Sequence, residues 1–299
     1  MPVNTCRLCG ETKELRESHI LPGFVFRWQK ETSATGYVRF AQQPNRRVQD
    51  GVKLHLLCGD CEQRFNIWET EFANRVFHPM TQGKVERASY GPWLLLFCAS
   101  VSWRVLVYFK DILDDLDHVP AALLPSVKRA ELRWREFLLG SRPRPQPHEQ
   151  HMWPLAGGTL TSYTHSEIPT NINRYLFRTP EITVASDDRD AFTYAKLGPF
   201  IILGFIAMAY PKQWVGTRVN THGGTLGLSR RYTMPKQFWG FISDRAKRSA
   251  AMKQRISEKQ TAKIAETYGA NMDRAAKSDL MRLMHQDVQL FGRRAFKGD

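Results

Sequence analysis

Hydrophobic positions along the chain change period several times, and each change marks an element. Leu15 to Ile20 is an extended run, and Leu54 and Leu56 alternate around His55 on a second one leading into Cys58. From Cys61 the period lengthens: Phe65, Trp68, Phe72 and Val76 recur at spacings of three and four. This predicts a helix that starts at Cys58–Cys61 and is closed by Pro79. Trp93 to Phe109 is apolar almost throughout, and Pro92 before it predicts a helix running to about Lys110. Leu123, Val127, Ala130, Trp134, Phe137 and Leu138 repeat the helical spacing up to Gly140. The Pro-rich stretch 141–150 then reads as a linker or exposed loop.

Beyond it, Asn173 to Arg178 and Glu181 to Ala185 predict short strands separated by Thr179-Pro180. The tetrapeptide GGTL occurs at 157–160 and again at 223–226. Four residues are too few for a repeat, and neither copy leads into a phosphate-loop pattern, so both glycine pairs read as turns. From Phe241 onward the pattern is helical and basic. The expected organisation is α+β: a small module over 1–85, then a larger, mainly helical domain over 86–299 with short strands around 155–230.

Two apolar runs have to be weighed against membrane spans. Trp93 to Phe109 carries Arg104 in its middle, costly in lipid, and Leu197 to Tyr210 is too short to cross a bilayer, so both are expected to be buried core. No basic segment followed by an apolar stretch opens the chain, which argues against a secretory signal and for a cytoplasmic protein without a membrane partner.

The formal charge of +14 points to a polyanionic partner, nucleic acid first. The cations gather in two places: Arg46 and Arg47 in the loop 42–51, and Arg245, Lys247 and Arg248 at the head of a basic run that continues to Lys263. The C-terminal run is equally readable as a solvated helix face, and the loop could position phosphate through its arginines. Four of five cysteines form two Cys-x2-Cys pairs, Cys6/Cys9 and Cys58/Cys61. That spacing sets both sulfurs of a pair on one side of a tight turn and together supplies a complete tetrahedral shell for structural Zn²⁺. Cys98, in an apolar stretch, reads as a small buried hydrophobe, and free thiols of this kind fit a reducing compartment.

Between the cysteine pairs lies Glu17-Ser18-His19-Ile20-Leu21-Pro22, and from the second pair onward Glu62-Gln63-Arg64-Phe65-Asn66-Ile67-Trp68-Glu69. A first Cys-x2-Cys, a strand ending in this histidine segment, a polar loop, and a second Cys-x2-Cys opening a helix together resemble the zinc-bearing HNH endonucleases of the ββα-metal, treble-clef type. The resemblance covers about the first 80 residues. It implies a treble-clef zinc module and a bacterial or phage nuclease, with restriction and defence effectors as its setting. It also implies His19 as the base that deprotonates the attacking water, and one Mg²⁺ or Mn²⁺ on the scissile phosphate. The chain departs from the family in having Ser18 where an acidic metal ligand usually precedes the histidine, and Glu62 where His or Asn is common.

Helical spacing sets Glu62, Asn66 and Glu69 on one face, so Glu62 and Asn66 are candidates to hold the cation opposite His19, with Glu69 the weaker one. Asp50, in the loop before the second strand, is a further candidate carboxylate, although Gln49-Asp50-Gly51 is also a good turn. Two functions stand: a metal-dependent DNA endonuclease, and a non-catalytic zinc module that binds nucleic acid or protein. RNA as the substrate, and a protein partner or homo-oligomer through the C-terminal domain, stay open.

Overall fold

The computed structural model describes residues 2–39, 43–158, 160, 168–228 and 230–297, the side chains of 253 and 297 aside. The chain is a mixed α+β protein that divides into two compact units. The first comprises residues 1–22, 51–157 and 180–233, the second 23–50, 158–179 and 234–299. This is not the single cut near residue 85 expected from the sequence. The polar insert between the cysteine pairs belongs with the C-terminal helices, and the long apolar helix belongs with the cysteines.

In the first unit, β1 (Val3–Thr5) and β2 (Thr12–His19) form an antiparallel hairpin, and β3 (Lys53–Cys58) pairs antiparallel with the other edge of β2. A bulge between Arg16 and Glu17 shifts the β2–β3 register, so that Leu15 and Ser18 are both buried although three residues apart. α1 (Gly59–Phe72) follows β3 directly, with Asp60 and Glu62 in its first turn, where carboxylates favour the positive end of the helix dipole. The helix does not stop before Pro79. A π turn, Ala73–Phe77, carries it into a last turn, His78–Thr81, where Pro79 falls among the first residues. The wider π turn relieves the clash that a proline ring makes inside a regular helix, which is why the breaker failed to break it.

α2 (Trp93–Val107) extends through a second π turn, Tyr108–Ile112, into a 20-residue helix long and apolar enough to cross a membrane. It is instead mostly covered by protein, as a helix apolar on nearly all faces requires, with Leu94, Phe97, Val101, Trp103 and Val105 wholly buried. It packs against α1, against α3 (Leu124–Leu139), and against an antiparallel sheet of β4 (Gln150–Pro154), β5 (Glu181–Ser186), β6 (Ala191–Lys196) and β7 (Phe200–Ala207), in the order β4-β7-β6-β5. Phe72 of α1 stacks on Phe97 of α2 at 4.3 Å between ring centres and meets Phe200 of β7 edge-on at 5.4 Å.

Three further expectations change. The Pro-rich stretch 141–150 is a loop as far as β4 and not a linker: it lies within the first unit, with Ser141, Pro143, Arg144 and Pro147 exposed but Pro145 and His148 buried and the His148 carbonyl accepting a bond from Trp134 Nε1. The second GGTL opens a strand, Gly224–Gly227, paired with Arg87–Tyr90, and a side chain at Gly223 would meet the Tyr90 carbonyl. The first GGTL includes residue 159, outside the described residues. Asn173 to Arg178 is no strand but most of the helix Ile172–Arg178, with Ile172, Tyr175 and Leu176 buried at helical spacing.

The second unit gathers that helix, the helix Gly23–Glu31, the short pair Val38–Arg39 and Arg47–Val48, and the C-terminal helices, among them Lys236–Lys253, Glu258–Ala270 and Asp279–Phe291. Asp287, fully buried, accepts from the Asn173 backbone at 2.8 Å and Arg174 Nε at 2.7 Å. Arg178 stacks on Trp28 and donates to Thr32 Oγ1 and the Gln29 carbonyl. Arg174, half-buried, and Arg178, buried, knit helices far apart in sequence.

Candidate metal centre and the Ser18–Glu62 junction

The turn of the β1–β2 hairpin is the first cysteine knuckle. Gly10 takes a left-handed backbone (φ +83°) so that its N–H returns to the Cys6 carbonyl at 2.9 Å. Arg135 of α3 donates to the Leu8 carbonyl, fixing the turn against the helix. The second knuckle is the junction of β3 and α1: Cys58 ends the strand and Cys61 lies in the first helical turn. Because β2 holds β3 in register, the two knuckles meet. The four sulfurs of Cys6, Cys9, Cys58 and Cys61 lie within 4.8 Å of one another, and Cys9 Sγ is 3.9 Å from Cys58 Sγ.

A tetrahedron of zinc–sulfur bonds near 2.3 Å has edges of about 3.8 Å, so the cluster fits a metal ion such as zinc. The thiol electrostatics agree. A hydrogen bond from the Cys61 thiol and backbone N–H groups, the Cys58 N–H at 3.3 Å among them, pull Cys6 down to about 4. Cys61 is pushed up by its bond to Cys6 and by burial, and Cys9 by burial. Cys6 is thus held low while Cys9 and Cys61 are held high, and a divalent cation shared by the sulfurs would favour the thiolate in all of them. Cys98, buried away from this group, has its thiol pushed up by desolvation, as an inert core cysteine should.

Below the knuckle, the end of β2 meets the first turn of α1. Ser18 is fully buried and its hydroxyl donates to Glu62 Oε2 at 2.6 Å. His19 follows Ser18 at the end of the strand, and successive strand side chains leave on opposite faces. The residue aimed at Glu62 is therefore Ser18, with His19 on the opposite face of the strand, and not His19 as the helical spacing of Glu62 and Asn66 led one to expect. The His19 ring is half-buried, with Nε2 shielded from solvent. Its backbone carbonyl accepts from Arg104 Nη1 at 2.8 Å.

Arg104 Nη2 also pairs with Glu69 Oε1 at 2.7 Å, and its guanidinium lies 5.2 Å from the Phe65 ring centre. Thus Glu69 faces an arginine, Glu62 faces Ser18, and Asn66 is exposed on the turn between them. Sequence reasoning used Arg104 only to argue against a membrane span. An arginine in mid-helix among apolar residues was the available sign that α2 carries an internal polar contact.

The remaining candidates lie in the second unit. Asp50 is half-buried there and so is not a member of the unit that holds His19 and Glu62. Arg46 and Arg47 are exposed in the loop 43–48, Gln42 lying outside the described residues. On the helix Lys236–Lys253, Lys247 and Arg248 are exposed, Arg245 is half-buried, and Arg248 pairs with Asp244 at 2.9 Å. No protein-family model, curated protein or solved structure matches this chain.

Proposed function

We propose that the protein is a metal-dependent endonuclease of the HNH type, built on a treble-clef zinc module and acting on DNA. The observation that carries this reading is the 2.6 Å contact of Ser18 with Glu62. A carboxylate from the helix opened by the zinc cysteines meets the strand end that bears His19. Glu62 offers a hard carboxylate oxygen and Ser18 a neutral hydroxyl. Mg²⁺ and Mn²⁺ take one or two carboxylates and fill their shell with water and substrate phosphate, so Glu62 is the ligand of this reading and Ser18, a neutral hydroxyl, a poor one beside it. When bound there, the cation supplies charge neutralisation on the scissile phosphate.

The chain's own residues do the rest. His19 takes the proton of the attacking water as the general base of this reading. Arg104, through the His19 carbonyl, holds the strand end that carries the ring. Arg46, Arg47, Arg245, Lys247 and Arg248 are candidates for phosphate contacts. In the test, purified protein is incubated with plasmid DNA and, separately, with RNA, in Mg²⁺ or Mn²⁺, beside His19→Ala and Glu62→Ala variants. Cleavage by the wild type, lost in both variants, is the expected result; equal cleavage by all three proteins overturns the assignment.

A second reading, a non-catalytic zinc module for binding, has its own support: both α1 carboxylates make internal bonds, Glu62 with Ser18 and Glu69 with Arg104. A gel shift with no cleavage under any cation selects it.

A further inference from the structure

The second unit is basic out of proportion to its size. Its three stretches hold 21 Lys and Arg against 10 Asp and Glu, a formal +11 of the chain's +14. On it lies a groove of about 690 Å³ between the loop 43–48 and the helix Glu258–Ala270, lined by Arg46, Arg47, Gln260, Lys263, Glu266 and Asn271 among others. The loop is held to the helix. Asn45 Oδ1 accepts from the Ser257 N–H at 2.7 Å and its Nδ2 donates to the Arg255 carbonyl at 3.1 Å. Arg39 braces both walls, donating to the Pro44 carbonyl and to Gln260 Oε1, each at 2.9 Å. The Arg47 guanidinium lies over the Tyr37 ring, 4.1 Å from its centre. Among the described residues, Arg46, Arg47 and Lys263 form no ion pair, and all three are exposed. Three exposed cations thus line one trough, and the bonds that hold its walls together, from Asn45 and Arg39, spend none of their charge.

We propose that this groove is a track for the phosphodiester backbone of a nucleic-acid strand. The cations would neutralise successive phosphates, and the Gln260 and Asn271 amides would offer hydrogen bonds to sugar or base edges. The lining is polar and open, with Ala270 its one apolar member, so nothing there would insert into a bilayer. Charge spread over the whole unit favours a polymer over an isolated anion. The proposal deepens the nuclease reading and rests on it only for the class of ligand.

Its test reads binding. Full-length protein is titrated, without added divalent cation, into fluorescently labelled single-stranded DNA, duplex DNA and single-stranded RNA at about 50 and 200 mM salt. The variant Arg46→Ala/Arg47→Ala/Lys263→Ala should bind its preferred strand about tenfold more weakly, and on duplex DNA its salt slope should fall by about 2 to 3. Lys263→Glu, a single exposed change, should weaken binding severalfold and covers the case in which the triple variant does not fold. Arg245→Ala/Lys247→Ala/Arg248→Ala is the comparator.

Affinity within about twofold of wild type for both groove variants, a loss confined to the comparator, or binding to phosphatidylserine vesicles with none to the three nucleic acids overturns the proposal. The two readings fail separately. Groove-dependent binding without cleavage removes the nuclease and keeps the groove, whereas cleavage indifferent to these substitutions does the reverse.

Discussion

Single residues show where the first unit is brittle. Arg104 is 1% exposed in a helix otherwise apolar, and its pairing with Glu69 and the His19 carbonyl is what makes its charge tolerable there. Arg104→Met should cost about 3 kcal/mol in urea denaturation, and adding Glu69→Gln should recover part of that loss. Ser18 offers a sharper probe. Ser18→Asp sets a second carboxylate beside Glu62 in a buried position, so its melting temperature should fall in metal-free buffer and recover with millimolar Mg²⁺. A melting curve indifferent to Mg²⁺ would mean that no hard cation enters there.

His148 and His151 give a pH dependence. Burial holds both imidazoles below their ordinary 6.5, against the pull of the Ile206 and Phe205 backbone on His148 and of Glu149 on His151. Arg129 and Arg133 add to the depression at His148, and Arg218 at His151. An unfolded chain takes up those protons near pH 6.5 while the folded one does not, so their contribution is complete above that pH and is lost as pH falls below it. Thermal melts of wild type between pH 7.5 and 5.5 should show the fall, and His148→Gln/His151→Gln should flatten it.

Among elements, those with a strong local signature were legible in the sequence. α3 reads directly from Val127, Ala130, Trp134 and Phe137, and the start of α1 from Cys58-x2-Cys61. The cysteine cluster was legible for the same reason, because the knuckle spacing is itself the geometry. What failed depended on neighbours. Asn173 to Arg178, ahead of Thr179-Pro180, reads as a strand, but tertiary packing makes the segment a helix; Pro79 reads as a stop, but a π turn absorbs it. The Ser18–Glu62 contact depends on strand pairing and a bulge that no single segment encodes. The knuckles also carry a prediction: one zinc per chain by elemental analysis, and its loss in Cys58→Ser, with a lower melting temperature for the first unit.

At the level of the whole molecule, net charge was visible at once but its distribution was not. Only the partition into two units shows that one holds +11 and the other the remaining +3. The partition has a practical corollary. The polypeptide passes from one unit to the other after residues 22, 50, 157, 179 and 233, so no single scissile bond separates a complete half from the other. A fragment ending at residue 85 would carry the cysteines without the apolar helix they rest near in sequence and fold, leaving Phe65 and Phe72 uncovered in water. Whoever wishes to study the cysteine-bearing half alone must splice three pieces end to end, replacing each excursion with a short designed turn.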